Sequence, residues 1–118
     1  MKVVVSVTHG TNDPTQATLG ILAAKAAADQ GHDVTVWLQG EAAVLANKNV
    51  YPTVQGVNMP ALKDGMEALL EKQVPVWVCK ACGIARNVTE DNWVATASYK
   101  GMGDYVAAVT EADKNIDF

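Results

Sequence analysis

The chain has 118 residues, a length that suits one compact domain with a single hydrophobic core. Its hydrophobic content of 49% and charged content of 19% are ordinary for a globular protein. The formal net charge is −4, and the nine Lys and Arg residues are scattered singly, which argues against a dedicated nucleic-acid surface. We therefore expect a protein partner and no direct contact with nucleic acid.

No segment of the sequence has the pattern of a targeting or membrane segment. The apolar run at residues 3–7 is too short for a signal peptide, and no small-residue cleavage site follows it. No stretch approaches the roughly 20 apolar residues of a membrane span. We expect a cytoplasmic protein, in which two neighbouring cysteines seldom form a structural disulfide.

The first third of the chain predicts two strands joined by a helix. The β-branched run at residues 3–7 is typical of a strand buried on both faces. Asp13, followed by a proline, predicts the start of a helix over residues 15–30. Gly31 supplies a left-handed cap, and residues 33–38 predict the second strand.

The remainder predicts further alternation of helices and strands. A short helix opens at Gly40 and Glu41, and residues 48–59 have the composition of a loop. The later predicted elements are a helix from Pro60, a strand over 74–78, a helix or helical turn from Cys79, a short strand over 92–96, a helix over 104–112 and a final strand over 114–118.

This alternation predicts βαβ units and a three-layer αβα sandwich of the flavodoxin or Rossmann type, with a mostly parallel five-stranded sheet in one domain over residues 1–118. Sites in such open sheets form beyond the carboxyl ends of the strands. Three loops are expected there, at residues 8–13, 38–41 and 79–82.

The most informative segment is V-P-V-W-V-C-K-A-C-G-I-A-R, residues 74–86, which holds the only two cysteines of the chain. Cys79 falls where a predicted strand meets a helix, and unpaired amides at a helix start favour an anion. Lys80 is adjacent, and Arg86 shares a helical face with Cys79 and Cys82. We therefore expect a lowered pKa and nucleophilic character at Cys79.

Three other interpretations of the cysteine pair remain. The cysteines could be buried packing residues, since cysteine often behaves as a small hydrophobe. They could be half of a zinc site, for which His9 is the one histidine at the expected edge of the sheet. They could form a thioredoxin-like dithiol, although no proline follows Pro75 to face it. We predict neither a metal nor a cofactor.

The loop T-H-G-T-N, residues 8–12, follows the first strand and faces the expected site. Its amides could bind an anion, and a flavodoxin-like phosphate loop is a loose alternative. His9 could transfer a proton for Cys79 or simply cap the loop.

Four segments resemble the DsrE/DsrF family, which includes the TusD-like sulfur-relay proteins. They are V-V-V-S-V-T-H-G, G-H-D-V-T-V-W-L-Q-G-E-A-A, V-W-V-C-K-A-C-G-I-A-R-N-V-T-E and M-G-D-Y-V-A-A-V-T-E-A-D-K-N-I-D-F, and together they extend over most of the chain. The segment around the cysteines is the most specific of the four.

The resemblance implies a DsrE fold and sulfur handling. In that family a cysteine after the central strand holds sulfur as a persulfide and passes it to a partner protein. Cys79 takes that position, and Arg86 matches a basic residue of the same motif. The resemblance also implies homotrimers or homohexamers. Two departures stand out, because Cys82 is an added cysteine and Asn87 replaces a glycine that often follows the arginine.

From these observations we expect a sulfurtransferase-like carrier with Cys79 and Cys82 as the catalytic pair and Arg86, His9 and Lys80 in support. Its partner would be a sulfur donor or acceptor protein. The alternative is a non-enzymatic oligomer that binds a ligand or switches with the redox state of the two thiols.

Overall fold

The computed structural model describes residues 1–118 and contains one five-stranded sheet in which all strands are parallel. This architecture confirms the predicted α/β class and the five-stranded sheet. The spatial order is β4-β3-β2-β1-β5. The strands are β1 (Lys2–Val7), β2 (Asp33–Leu38), β3 (Val76–Cys79), β4 (Ala97–Lys100) and β5 (Lys114–Asp117).

Four α-helices and two short 3₁₀ helices connect the strands. None of the helices is long and apolar enough to cross a membrane. The α-helices are α1 (Pro14–Asp29), α2 (Leu62–Glu71), α3 (Lys80–Ala85) and α4 (Met102–Glu111), and the 3₁₀ helices cover Gly40–Ala46 and Tyr51–Thr53.

The local signals that predicted the helix ends act as expected. Asp13 caps α1, because its carboxylate accepts a hydrogen bond from the Gln16 amide at 3.1 Å. Gly31 adopts the left-handed conformation after α1, with φ of 86°. Asn87 has φ of 56° after α3, so asparagine fills the left-handed position that a glycine would otherwise take.

One face of the sheet packs against α1 and α2 and forms the main core. Side chains alternate along a strand, so every second residue of β1, β2 and β3 points to this face. The strand residues buried here are Val3, Val5, Val7, Val34, Val36, Leu38, Val76 and Val78. Ile21 of α1 and Leu69 of α2 are completely buried against them.

Helix α4 packs on the opposite face of the sheet, and it has no buried residue. Trp37 of β2 is fully buried there because Tyr105 of α4 stacks on it, with ring centroids 4.8 Å apart. The Tyr105 hydroxyl also shares a hydrogen bond of 2.6 Å with Ser6 of β1. These contacts anchor α4 and complete the third layer.

The prediction of a strand over residues 92–96 is wrong, since β4 covers Ala97–Lys100. Trp93 and Val94 have the apolar character of a strand, but their backbone pairs with the end of the first 3₁₀ helix. Trp93 forms an isolated bridge with Asn47, and the Val94 amide donates to the Ala46 carbonyl at 2.8 Å. Other boundaries differ by a few residues, as for α2, which begins at Leu62.

Candidate thiol site at the carboxyl edge of the sheet

The loops after β1, β2 and β3 lie at the same edge of the sheet, as expected. All the strands are parallel, so Val7, Leu38 and Cys79 end at one side. The first two loops are in direct contact, because a Cβ atom added to Gly10 would lie only 2.3 Å from the Glu41 carbonyl oxygen. Only glycine fits this position without movement of the backbone.

Cys79 is the last residue of β3 and directly precedes α3. It lies two residues after Trp77, so both side chains point to the face of the sheet that α4 covers. Cys79 and Cys82 are both half-buried free thiols. The two side chains are close enough for Cys82 to raise the pKa of the Cys79 thiol. The structure therefore places the two cysteines side by side with access from solvent.

Cys79 opens into an apolar groove between α3 and the start of α4. The residues that line this cysteine groove are Cys79, Lys80, Ala81, Ile84, Gly101 and Met102. Ile84 is 58% exposed and Met102 is 53% exposed, although both are large apolar side chains. Exposed apolar surface next to a half-buried thiol favours contact with another protein or an apolar ligand.

The prediction of a lowered pKa at Cys79 is wrong. Burial raises the pKa of the Cys79 thiol, and the hydrogen bond to Cys82 raises it further. Amide groups of Cys82 and Ala81 act in the opposite direction but do not reverse the rise. Since α3 has only six residues, its aligned dipoles form a short column with limited effect on the thiol.

Arg86 does not direct a free positive charge at the thiols, contrary to the sequence-based expectation. Its Nε and Nη2 donate to Glu41 Oε1 at 3.1 and 2.6 Å, and its Nη1 donates to the Cys82 carbonyl at 3.1 Å. The guanidinium lowers the pKa of Glu41, which is therefore a carboxylate at neutral pH. The carboxylate offsets much of the charge that Arg86 would present to the thiols.

The other proposed supporting residues have different surroundings. His9 Nδ1 is hydrogen-bonded to its neighbour Thr8 Oγ1 at 3.1 Å, and no hydrogen bond joins His9 to either cysteine. Lys80 is exposed on the wall of the cysteine groove. Lys100 of β4 is the register partner of Cys79, and its Nζ lies 5.1 Å from the centre of the Trp77 ring.

The surroundings of the cysteine pair bear directly on the zinc interpretation. No three side chains of His, Cys, Asp or Glu are grouped in a way that could hold a metal ion. Neither His9 nor a carboxylate of the chain joins Cys79 and Cys82 in such a group.

Sequence reasoning missed two residues of this site, Glu41 and Met102. Glu41 was placed at the correct edge of the sheet, but no local pattern linked it to Arg86, which is 45 residues away in the chain. Met102 was missed because the misplaced strand hid the fact that β4 also ends at this edge. With β4 correctly placed, Gly101 and Met102 directly follow it, and their position would have indicated that Met102 lies at this edge.

Replacing Cys82 by Ala should lower the pKa of Cys79. The substitution removes both the hydrogen bond and the second ionisable thiol, each of which raises that pKa. We expect the rate of Cys79 alkylation by iodoacetamide to rise at neutral pH and its pH midpoint to fall. In Cys82→Ser the pH midpoint of Cys79 alkylation should fall less, because a hydroxyl can replace the thiol as a hydrogen-bonding partner. An unchanged or higher midpoint in Cys82→Ala would contradict the pairing of the thiols.

The structure is thus that of an α/β protein with two neighbouring free thiols at the carboxyl edge of a parallel sheet, beside an apolar groove. The chain belongs to the DsrE/DsrF-like family, whose sequence profile matches residues 1–118. Membership of this family suggests a role related to sulfur relay, and the adjacent cysteines agree with such a role.

The fold has a counterpart among solved structures. The crystal structure of the YchN protein from Escherichia coli is similar over 100% of this chain and 99% of that chain, with a TM-score of 0.83. The two sequences are 18% identical, so this likeness bears on the fold alone. No curated protein matches the sequence significantly.

Proposed function

We propose that this protein is a small cytoplasmic sulfur carrier, a single DsrE-like domain that holds sulfane sulfur as a persulfide on Cys79 and passes it to a partner protein. The observation that supports this role is the position of Cys79, half-exposed at the end of β3 and open to the apolar cysteine groove. Cys82 is the second thiol of the site, and Lys80 lies on the path by which a partner would approach.

Loading of Cys79 is a thiol exchange without net oxidation or reduction. The Cys79 thiolate attacks the terminal sulfur of a donor persulfide, a new S–S bond forms, and the S–S bond of the donor breaks. The donor sulfur leaves as a thiolate, and the Cys79 proton passes to solvent. The raised pKa reduces the fraction of thiolate, but a thiolate of higher pKa is the stronger nucleophile once formed.

The proposal is tested by mass spectrometry after exposure of the protein to a low-molecular-weight persulfide. We expect an added mass of about 32 Da, one sulfur atom, on the peptide that contains Cys79. The control is the same reaction after the thiols have been blocked with iodoacetamide. A Cys79 that is alkylated readily but never gains sulfur would contradict the proposal.

The proximity of the two free thiols favours a second candidate, a redox module in which the pair forms a disulfide. In this scheme the Cys82 thiolate attacks Cys79 Sγ of the persulfide, hydrosulfide leaves, and a Cys79–Cys82 disulfide remains. An external dithiol must then reduce that disulfide. Release of hydrosulfide by the unchanged protein, with persulfide accumulating in Cys82→Ser, would favour the redox module over the carrier.

We also propose that the chain forms a homotrimer or homohexamer. Met102 and Val106 lie one turn apart on α4 and are 53% and 54% exposed, so α4 presents an apolar stripe that a second copy could bury. Light scattering should give a multiple of the 12.5 kDa chain mass.

Val106→Asp should shift the protein towards the monomer, because a carboxylate buried in an interface is costly. Ala107→Asp, at an exposed position of the same helix, is the matched control for the added charge and should have the smaller effect. A monomeric unchanged chain, or equal effects of the two substitutions, would contradict the assignment of α4 as the interface.

A further inference from the structure

We infer that Glu41 is a positioning residue for the cysteine pair, which it governs through Arg86. The inference rests on the proposed function only in taking Cys79 as the reactive thiol. Glu41 touches neither cysteine in the hydrogen-bonded network. It acts by fixing both the geometry and the effective charge of Arg86.

The geometric part of the inference is a clamp that runs from Glu41 through Arg86 to Cys82. Two guanidinium nitrogens bind the Glu41 carboxylate, and the third donates to the Cys82 carbonyl. Arg86 is also the C-cap residue that directly follows α3, so the clamp fixes the last turn of this six-residue helix. The backbone of Glu41 is itself held against Gly10, which ties all three loops of the carboxyl edge together.

The electrostatic part follows from the balance of charge around the thiols. Both cysteines lie close enough to Arg86 for a thiolate at either position to raise the pKa of the guanidinium. The same interaction means that Arg86 favours the thiolates, while the Glu41 carboxylate opposes this effect. Glu41 therefore opposes the effect of Arg86 on ionisation of Cys79.

The other charged groups around the pair lie on the elements packed against it. Lys80 is on α3, and Lys100 is on β4 beside Cys79. Asp104 is in the first turn of α4 and accepts a hydrogen bond from the Gly101 amide at 2.9 Å. None of these three forms an ion pair with Arg86 or Glu41. A single substitution of Arg86 or Glu41 therefore leaves the charge of the other residue unpaired.

The test is the pH profile of thiol alkylation in a set of matched variants of the full chain. In Glu41→Gln the charge of Arg86 is no longer offset, so the midpoint should fall and the rate at fixed pH should rise about threefold. In Arg86→Gln the carboxylate is unpaired, so the midpoint should rise. Arg86→Lys keeps the charge without the fork of hydrogen bonds, and its midpoint should stay near that of the unchanged protein.

Asp29→Asn is the control for a lost carboxylate. Asp29 forms ion pairs with Lys25 and Lys72 at 2.6 and 3.0 Å at the end of α1, where the chain turns into the amino edge of the sheet. Asp29→Asn should leave the pH midpoint of alkylation unchanged. Circular dichroism establishes that each variant is folded.

Opposite shifts in Glu41→Gln and Arg86→Gln support the inference, because loosening of the loops alone would move both midpoints in the same direction. Equal or same-sign shifts overturn it. Opposite shifts without any persulfide formation would leave this inference standing and contradict the proposed carrier. Persulfide formation with unchanged midpoints would contradict the role of Glu41 alone.

Discussion

Cys79→Ser should abolish persulfide formation, while Cys82→Ser should still accept sulfur. A serine hydroxyl stays protonated at neutral pH and cannot form the S–S bond that holds sulfane sulfur. Mass spectrometry of the intact variants after exposure to a low-molecular-weight persulfide measures the difference directly. We expect an added sulfur in the unchanged chain and in Cys82→Ser, and none in Cys79→Ser.

The two cysteines make this a controlled comparison. They are both half-buried, free and close to each other, so each substitution removes one thiol from the same environment. Sulfur accumulating on Cys82 in Cys79→Ser would reverse the assignment of the two roles. Added sulfur in Cys82→Ser, with a Cys79–Cys82 disulfide and released hydrosulfide in the unchanged chain, would instead favour the redox module.

Trp37→Ala should lower the free energy of unfolding by about 3–5 kcal/mol, the range for a large aromatic removed from a core. Trp37 is completely buried, stacks on Tyr105 of α4, and donates a hydrogen bond of 2.7 Å to Gln39. Since α4 has no buried residue of its own, loss of the stack should also loosen α4 and the Met102 side of the cysteine groove. Urea unfolding followed by circular dichroism measures the change.

Two further variants separate the contributions of Trp37. Trp37→Phe keeps an aromatic ring against Tyr105 but loses the hydrogen bond to Gln39, so we expect a smaller loss of about 1–2 kcal/mol. Trp77→Ala removes a tryptophan from the same face of the sheet that is only half-buried, and it should also cost less than Trp37→Ala. A loss in Trp77→Ala equal to that in Trp37→Ala would contradict the role of the stack in holding α4.

The chemistry of the site depends on residues that approach it from separate loops. Cys79 and Cys82 come from one short segment, but the charge beside them is set by Glu41, which follows β2. Their access to solvent is set partly by Met102, at the start of α4. A high resting pKa is compatible with a carrier, since it keeps the thiol protected until a partner or donor changes its surroundings.

The sequence by itself determined the α/β class, the five-stranded sheet, the caps at Asp13 and Gly31, and the position of Cys79 at the carboxyl edge. These features follow from periodicity, capping residues and the alternation of strands and helices along the chain, all of which can be read from local sequence. It did not locate β4, because the apolar residues Trp93 and Val94 resemble a strand but pair through their backbone with the end of the first 3₁₀ helix.

Only the tertiary structure decided the electrostatics of the thiols. A pKa depends on burial and on neighbouring groups, and here burial of Cys79 and the neighbouring Cys82 thiol raise the pKa of Cys79. The helical spacing of Cys82 and Arg86 correctly brought the two residues together. It contained no information about the burial of Cys79, which is the main cause of its raised pKa, or about the carboxylate that the folded chain places against the guanidinium.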